Sequence, residues 1–170
     1  MKPSELIIIV AVLALGVGLT ARFVMSPAQP PPPFTEFSLP DTTDKPHNST
    51  EWQGKIRIIN FWATWCAPCR KEMPEFIALQ EKYASKNVQF IGIAVDDKTA
   101  VIDYLKTINI NYPILMGGDA AMVMARQLGN HIGALPYTVI VDSQGKIIHQ
   151  QAGEFSTEQL VQVITPLILN

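Results

Sequence analysis

Two cysteines and three histidines are all the thiol and imidazole metal ligands that this 170-residue sequence offers. Such a small number excludes a cysteine-dense disulfide scaffold, and it leaves a four-thiolate zinc site short of ligands. Positive charge is equally scarce. Thirteen Lys and Arg stand against fifteen Asp and Glu, for a net charge of −2, with the two signs scattered along the chain. No nucleic-acid partner is expected, because the concentrated basic footprint that such binding needs is missing. Internal repeats are also lacking, which excludes a solenoid.

One long stretch carries no charge. "LIIIVAVLALGVGLTA", Leu6 to Ala21, runs between Glu5 and Arg22. A secretory core spans about 7–15 apolar residues and a membrane-spanning helix about 17–25, so the run falls between them. Counting on to Met25, with Arg22 snorkelling toward the headgroups, brings it to roughly 30 Å at ~1.5 Å per residue. Ser26-Pro27-Ala28 has small residues at cleavage spacing, but a proline separates them. Residues 1–26 are therefore read as an uncleaved N-terminal transmembrane anchor, with a removed signal peptide as the alternative. Lys2 and the terminal amine bias the N-terminus weakly toward the cytoplasm. The rest of the chain is then extracytoplasmic (periplasmic), where disulfides persist. "PAQPPPP", residues 27–33, follows as a semi-rigid polyproline linker. Residues 34–170 form the folded domain.

That domain alternates strand and helix patterns. "IRIINFWA" and "VQFIGIAVD" are β-branched and nearly continuous in their apolar residues, as strands buried on both faces are. "APCRKEMPEFIALQEKYASK" has helical spacing, with Pro74 inside it as a kink. "KTAVIDYLKTIN" is a second helix, and "DAAMVMARQLG" a third, opened by Asp119 as N-cap. "YTVIVD" and "KIIHQQAG" flank the turn "SQG" as a hairpin, and "STEQLVQVITPLI" closes the chain as a helix from Ser156. Tyr112–Met116 and Lys146–His149 are read as edge strands. The expected fold is an α/β sandwich, a mixed central sheet flanked by helices on both faces.

Both cysteines lie in "NFWATWCAPCRKEMP", at Cys66 and Cys69, where a strand ends and a helix begins. A structural bridge closing so small a loop removes little chain entropy. A metal site needs further ligands, and His47, His131 and His149 are scattered away from the pair, so no metal site is assigned. A redox dithiol fits the strand–CxxC–helix context best. At a helix N-terminus the unsatisfied N–H groups and the macrodipole favour a thiolate, which makes Cys66 the attacking sulfur. Cys69, one turn further in, is the resolving sulfur. Pro68 sits in the first turn, where its missing N–H costs nothing. Trp62 and Trp65 are candidates for a flat apolar rim.

"FWATWCAPC", Pro74 and "GALPYTVIVD" together resemble the thioredoxin superfamily. "FSLPD", "WQGKIRIINFWATWCAPCRKEMP" and the helix–strand insert from Lys98 to Met116 are similar to its TlpA/ResA/CcmG branch of membrane-anchored thiol–disulfide oxidoreductases. The resemblance implies a cis bond before Pro136, opposite Cys66. It also implies a client-docking surface of Trp65, Ala67, Pro68, Leu135 and Pro136. Thioredoxins proper carry a buried aspartate where this chain has Asn60, which cannot accept a proton. In the ResA-like branch a glutamate in "KEMP" tunes the thiols, and the resemblance assigns that role to Glu72; otherwise Glu72 is a solvated helix acid.

The function implied is exchange or reduction of protein disulfides through the CxxC dithiol, without a cofactor. Apocytochrome c or copper-site proteins are the implied clients, within cytochrome c maturation or copper-site assembly, and a membrane electron donor lies upstream. A redoxin-type thiol peroxidase using Thr64 and a non-catalytic copper-binding module remain as alternatives. "NST" at Asn48 matches a glycosylation sequon, a pattern too short to weigh.

Overall fold

A computed structural model describes residues 34–169, and the anchor and linker assigned above lie outside them. Among the described residues no helix is long and apolar enough to cross a membrane. The chain opens on a small antiparallel hairpin, β1 (Ser38–Pro40) with β2 (Pro46–Asn48), followed by a 3-10 turn over Ser49–Trp52. Asn48 caps that turn, its Oδ1 accepting from the Thr50 N–H at 3.0 Å.

Five strands form the central sheet in the order β5-β4-β3-β6-β7. They are β3 (Ile56–Trp62), β4 (Val88–Ala94), β5 (Ile114–Met116), β6 (Tyr137–Val141) and β7 (Ile147–Ala152). The first three are mutually parallel, β6 runs antiparallel to β3 and β7 antiparallel to β6, so the sheet is mixed as expected. Every residue of β3 is buried, which is why its sequence is apolar at all positions but Arg57 and Asn60. The two short runs read as edges are the edges. The strand read as Lys146–His149 extends instead to Ala152, its polar Gln150 and Gln151 suiting an edge position.

Four helices complete the domain: α1 (Ala67–Tyr83), α2 (Lys98–Leu105), α3 (Gly118–Gln127) and α4 (Thr157–Ile168). Alternation along the strands divides the core in two. Ile58, Phe90 and Ile140 face Met73 and Phe76 of α1, Val101 of α2, and Leu160 and Ile164 of α4. Ile59, Ile91 and Val139 face Ala121 and Ala125 of α3, with Trp52. Helices thus cover both faces.

Helix starts follow local chemistry. Asp97 caps α2 by accepting from the Ala100 N–H at 3.0 Å. Ser156 and Gln159 form a capping box on α4. The assignment of Asp119 as a cap is corrected: α3 begins at Gly118 with Gly117 before it, and Asp119 lies within the first turn. A Cβ on Gly117 would sit 2.5 Å from the Ala121 Cβ, so only glycine allows this close entry. Helix α1 continues through the exposed Pro74, whose missing N–H leaves the Arg70 carbonyl without its usual donor.

Candidate active site

Strand β3 delivers the chain from Trp62 into a turn closed by the Cys66 N–H on the Ala63 carbonyl at 3.2 Å. Cys66 is the N-cap of α1, and its Sγ accepts from the Cys69 N–H at 3.3 Å. A sulfur therefore takes the place that a serine or aspartate oxygen takes at other helix starts. Cys66 and Cys69 are joined in a disulfide, so this is the oxidised form. Cys66 is 5% exposed and Cys69 is fully buried. The order of exposure is the one expected, but Cys66 shows far less surface than an open thiol. Pro68 occupies the second helical position.

Around the disulfide, Trp65 is 67% exposed and Ala67 and Pro68 are exposed beside it. Trp62 is buried and packs against Tyr104, so of the two tryptophans only Trp65 is available as a rim. The Leu135–Pro136 peptide bond is cis. Pro136 is buried, and the half-buried Leu135 packs on the core cluster that holds both cysteines. Asn130 braces the loop before it, donating to the Ala134 carbonyl at 2.8 Å and accepting from the Ala134 N–H at 3.0 Å. Thr64 gives both its N–H and its hydroxyl to Asp96 Oδ2, at 3.0 and 2.5 Å. Its hydroxyl is thereby committed, which disfavours the peroxidase alternative.

Glu72 is not a solvated acid. It is 1% exposed, one turn beyond Cys69 on α1. Its Oε1 accepts from Asn60 Nδ2 at 2.7 Å and its Oε2 from the Phe155 N–H at 3.2 Å. Burial pushes its pKa from 4.5 up to about 7, against the pull of those two donors, and the charges of Glu154 and Glu75 add to the rise. Asn60 gives its second amide hydrogen to Thr138 Oγ1 at 3.1 Å, directly across the β3–β6 pairing. Thr138 and Phe155 were missed in the sequence. Thr138 was detectable as the polar residue in an otherwise apolar strand two places after Pro136; Phe155 contributes only a backbone group and left no signal. Among the described residues no group of three or more His, Cys, Asp or Glu is placed to hold a metal ion.

The model of the Redoxin family matches residues 29–164. The chain belongs to that family. Among curated relatives of this redoxin, the thiol–disulfide oxidoreductase ResA of Bacillus cereus is 32% identical over 134 residues, 76% of this chain and 75% of the relative. ResA of Bacillus subtilis is 29% identical over 133 residues, 78% and 72% of the two chains. Among solved structures, a thioredoxin-family thiol:disulfide interchange protein from Chlorobium tepidum superposes with a TM-score of 0.69. It is 31% identical, over 84% of this chain and 99% of that one. A secreted thiol-disulfide isomerase from Corynebacterium glutamicum, 21% identical, shares the fold with a TM-score of 0.73 over 81% and 86% of the chains. This redoxin is a TlpA/ResA/CcmG-like member of the thioredoxin superfamily and a thiol–disulfide oxidoreductase, acting on thiol- or disulfide-bearing proteins.

Proposed function

We propose that this redoxin reduces or exchanges protein disulfides outside the cytoplasm, tethered by residues 1–26 through the linker at 27–33. The observation that carries the reading is a CxxC disulfide at a helix N-terminus with a buried carboxyl one turn behind it. Once an upstream membrane donor has supplied two electrons to open Cys66–Cys69, the Cys66 thiolate attacks one sulfur of a client disulfide. A mixed disulfide forms, and the other client sulfur leaves as a thiolate. Cys69 gives its proton to Glu72, and its thiolate attacks Cys66 Sγ. The Cys66–Cys69 bond re-forms, and the second client sulfur leaves and takes up a proton. The client is reduced by two electrons and the protein oxidised by two. The same steps in reverse oxidise a client.

Trp65, Ala67, Pro68 and Leu135 supply the apolar surface on which the client's cysteine segment rests, and the buried Pro136 fixes Leu135 through the cis bond. The secreted or membrane setting and the pairing with apocytochrome c or copper-site proteins rest on resemblance to the branch. Equilibration of the full chain with glutathione buffers, together with turnover of a disulfide-bonded protein, tests the reading. A reversible two-electron midpoint with catalytic turnover is expected. If the dithiol does not turn over a protein disulfide, the proposal fails.

A further inference from the structure

Glu72, Asn60 and Thr138 form a buried polar cluster, with exposures of 1%, 2% and 0%. In the geometry seen, Asn60 Nδ2 uses both hydrogens, one on Glu72 Oε1 and one on Thr138 Oγ1. That arrangement serves an anionic Glu72, which accepts hydrogen bonds without giving any. A protonated Glu72 has a hydrogen to donate, and the Asn60 amide group facing it offers only donors. Turning that amide by half a rotation presents Oδ1 to the same two neighbours. Oδ1 then accepts from the Glu72 O–H, and the Thr138 hydroxyl, which can donate as well as accept, reverses its bond.

We propose that Asn60 and Thr138 form a reversible hydrogen-bond pair that satisfies Glu72 both with and without its proton, Thr138 acting as a positioning residue. The purpose of the pair rests on the proposed role of Glu72 as proton acceptor for Cys69. A buried acid that takes and returns a proton leaves an orphaned polar group in one state unless its partners can change roles, and buried orphans are costly. Leucine or valine at position 138 would suit the apolar strand β6, whose other residues are Tyr137, Val139, Ile140 and Val141. A hydroxyl there does what neither could: it both donates and accepts.

Several charged or titratable groups surround Glu72. On α1 these are Lys71 and Glu75; at the β7–α4 junction, Glu154. Lys71 pairs with Glu154 at 2.6 Å, and Glu75 accepts from the Thr157 hydroxyl at 2.6 Å. Tyr112 feels the Glu72 charge, and His149 stacks on Phe155 at 5.2 Å. Substitution at Thr138 leaves all of them in place.

The test is carboxyl-carbon NMR titration of the oxidised full chain in detergent, with the Glu72 signal identified by its loss in Glu72→Gln. Thr138→Val removes the acceptor that holds the amide in its anion-serving orientation. The Glu72 midpoint should then rise by roughly half to one pH unit. Thr138→Ser should restore the midpoint of the parent protein. An unchanged midpoint in the valine variant, or an equal shift in the serine variant, overturns the proposal. A second measurement needs no substitution: the Asn60 side-chain amide signals should titrate with the Glu72 midpoint and exchange faster with solvent on its acid side. Amide signals that ignore the titration also overturn the proposal. Glu72→Gln kinetics report separately on the proton-acceptor reading, since an unaltered resolution rate removes that role while the midpoints still decide the pair.

Discussion

The backbone N–H of Phe155 donates to Oε2 of Glu72 across 83 residues, at 3.2 Å, and so pins the disulfide-bearing helix α1 to the start of α4. Two flanking contacts reinforce the join, Lys71 with Glu154 and Glu75 with the N–H and hydroxyl of Thr157. The carboxyl held in this way has its pKa raised, chiefly by burial.

Burial raises the Glu72 pKa to about 7, whereas the unfolded chain releases that proton near 4.5. Between those values the folded state binds more protons than the unfolded one, so stability falls as pH rises through the window and levels off above it. A separation of that size corresponds to roughly 3 kcal/mol. Glu72→Gln should abolish this slope, gaining on the parent protein between about pH 4.5 and 7 in urea midpoints. Parallel curves for the two proteins would contradict the assignment.

Reduced Cys66 should alkylate much faster than Cys69 near neutral pH, since it caps the helix and keeps the only exposure of the pair. Mass mapping after a brief pulse of iodoacetamide reads the ratio. Equal labelling removes the distinction between attacking and resolving sulfur.

Cys69→Ala should accumulate a mixed disulfide between Cys66 and a client, because the second attack has no nucleophile. Non-reducing gels of an extracytoplasmic extract show the adduct. Capture by Cys66→Ala instead would exchange the roles of the two sulfurs.

Asp41 lies where the N-terminal hairpin meets the sheet edge, bridged to Leu115 of β5. Its pKa is lowered from 3.8 to about 2, first by the Thr43 hydroxyl and further by the N–H groups of Thr43 and Lys45 and by His47. The folded state therefore gives up this proton more readily. The stabilisation is complete above the unfolded pKa and is lost as pH falls toward 2. Asp41→Asn should lower the urea midpoint at neutral pH, and the difference should close on acidification. A gap that persists at the lowest pH would assign the loss to the side chain's shape and not its charge.

Removal of residues 1–33 should leave a soluble, cooperatively unfolding, redox-active domain, because every strand and helix of the described core lies beyond Pro33. Loss of cooperativity would show that the domain boundary at 34 is misplaced.

The sheet was legible because strands such as β3 and β4 are buried on both faces, and their apolar runs can be read without tertiary information. Cys66 and Cys69 were legible because their chemistry depends on a local transition from strand to helix. Glu72 was singled out only through the resemblance of "KEMP" to the ResA-like branch, and the residues alone left it open as a solvated acid. Its burial comes from Asn60 on β3 and from a loop 83 residues away, and no periodicity records such contacts. The start of α3 was misread for a related reason: capping rules favour Asp119, but the tight contact of Gly117 with Ala121 begins the helix earlier.

The long span from Glu72 to Phe155 also sets an order of events during synthesis. Asn60, both cysteines and Glu72 leave the ribosome well before Thr138 and Phe155, their partners 78 and 83 residues downstream. A growing chain therefore carries the CxxC pair before the partners of Asn60 and Glu72 have been made. In that interval Glu72 lacks the Phe155 N–H that its Oε2 accepts from in the folded domain. Only with the C-terminal segment in place is the Glu72 carboxyl buried as seen here, with its pKa raised. The C-terminal segment thus completes the hydrogen bonding of the carboxyl buried one turn beyond the disulfide, and it does so with a backbone group.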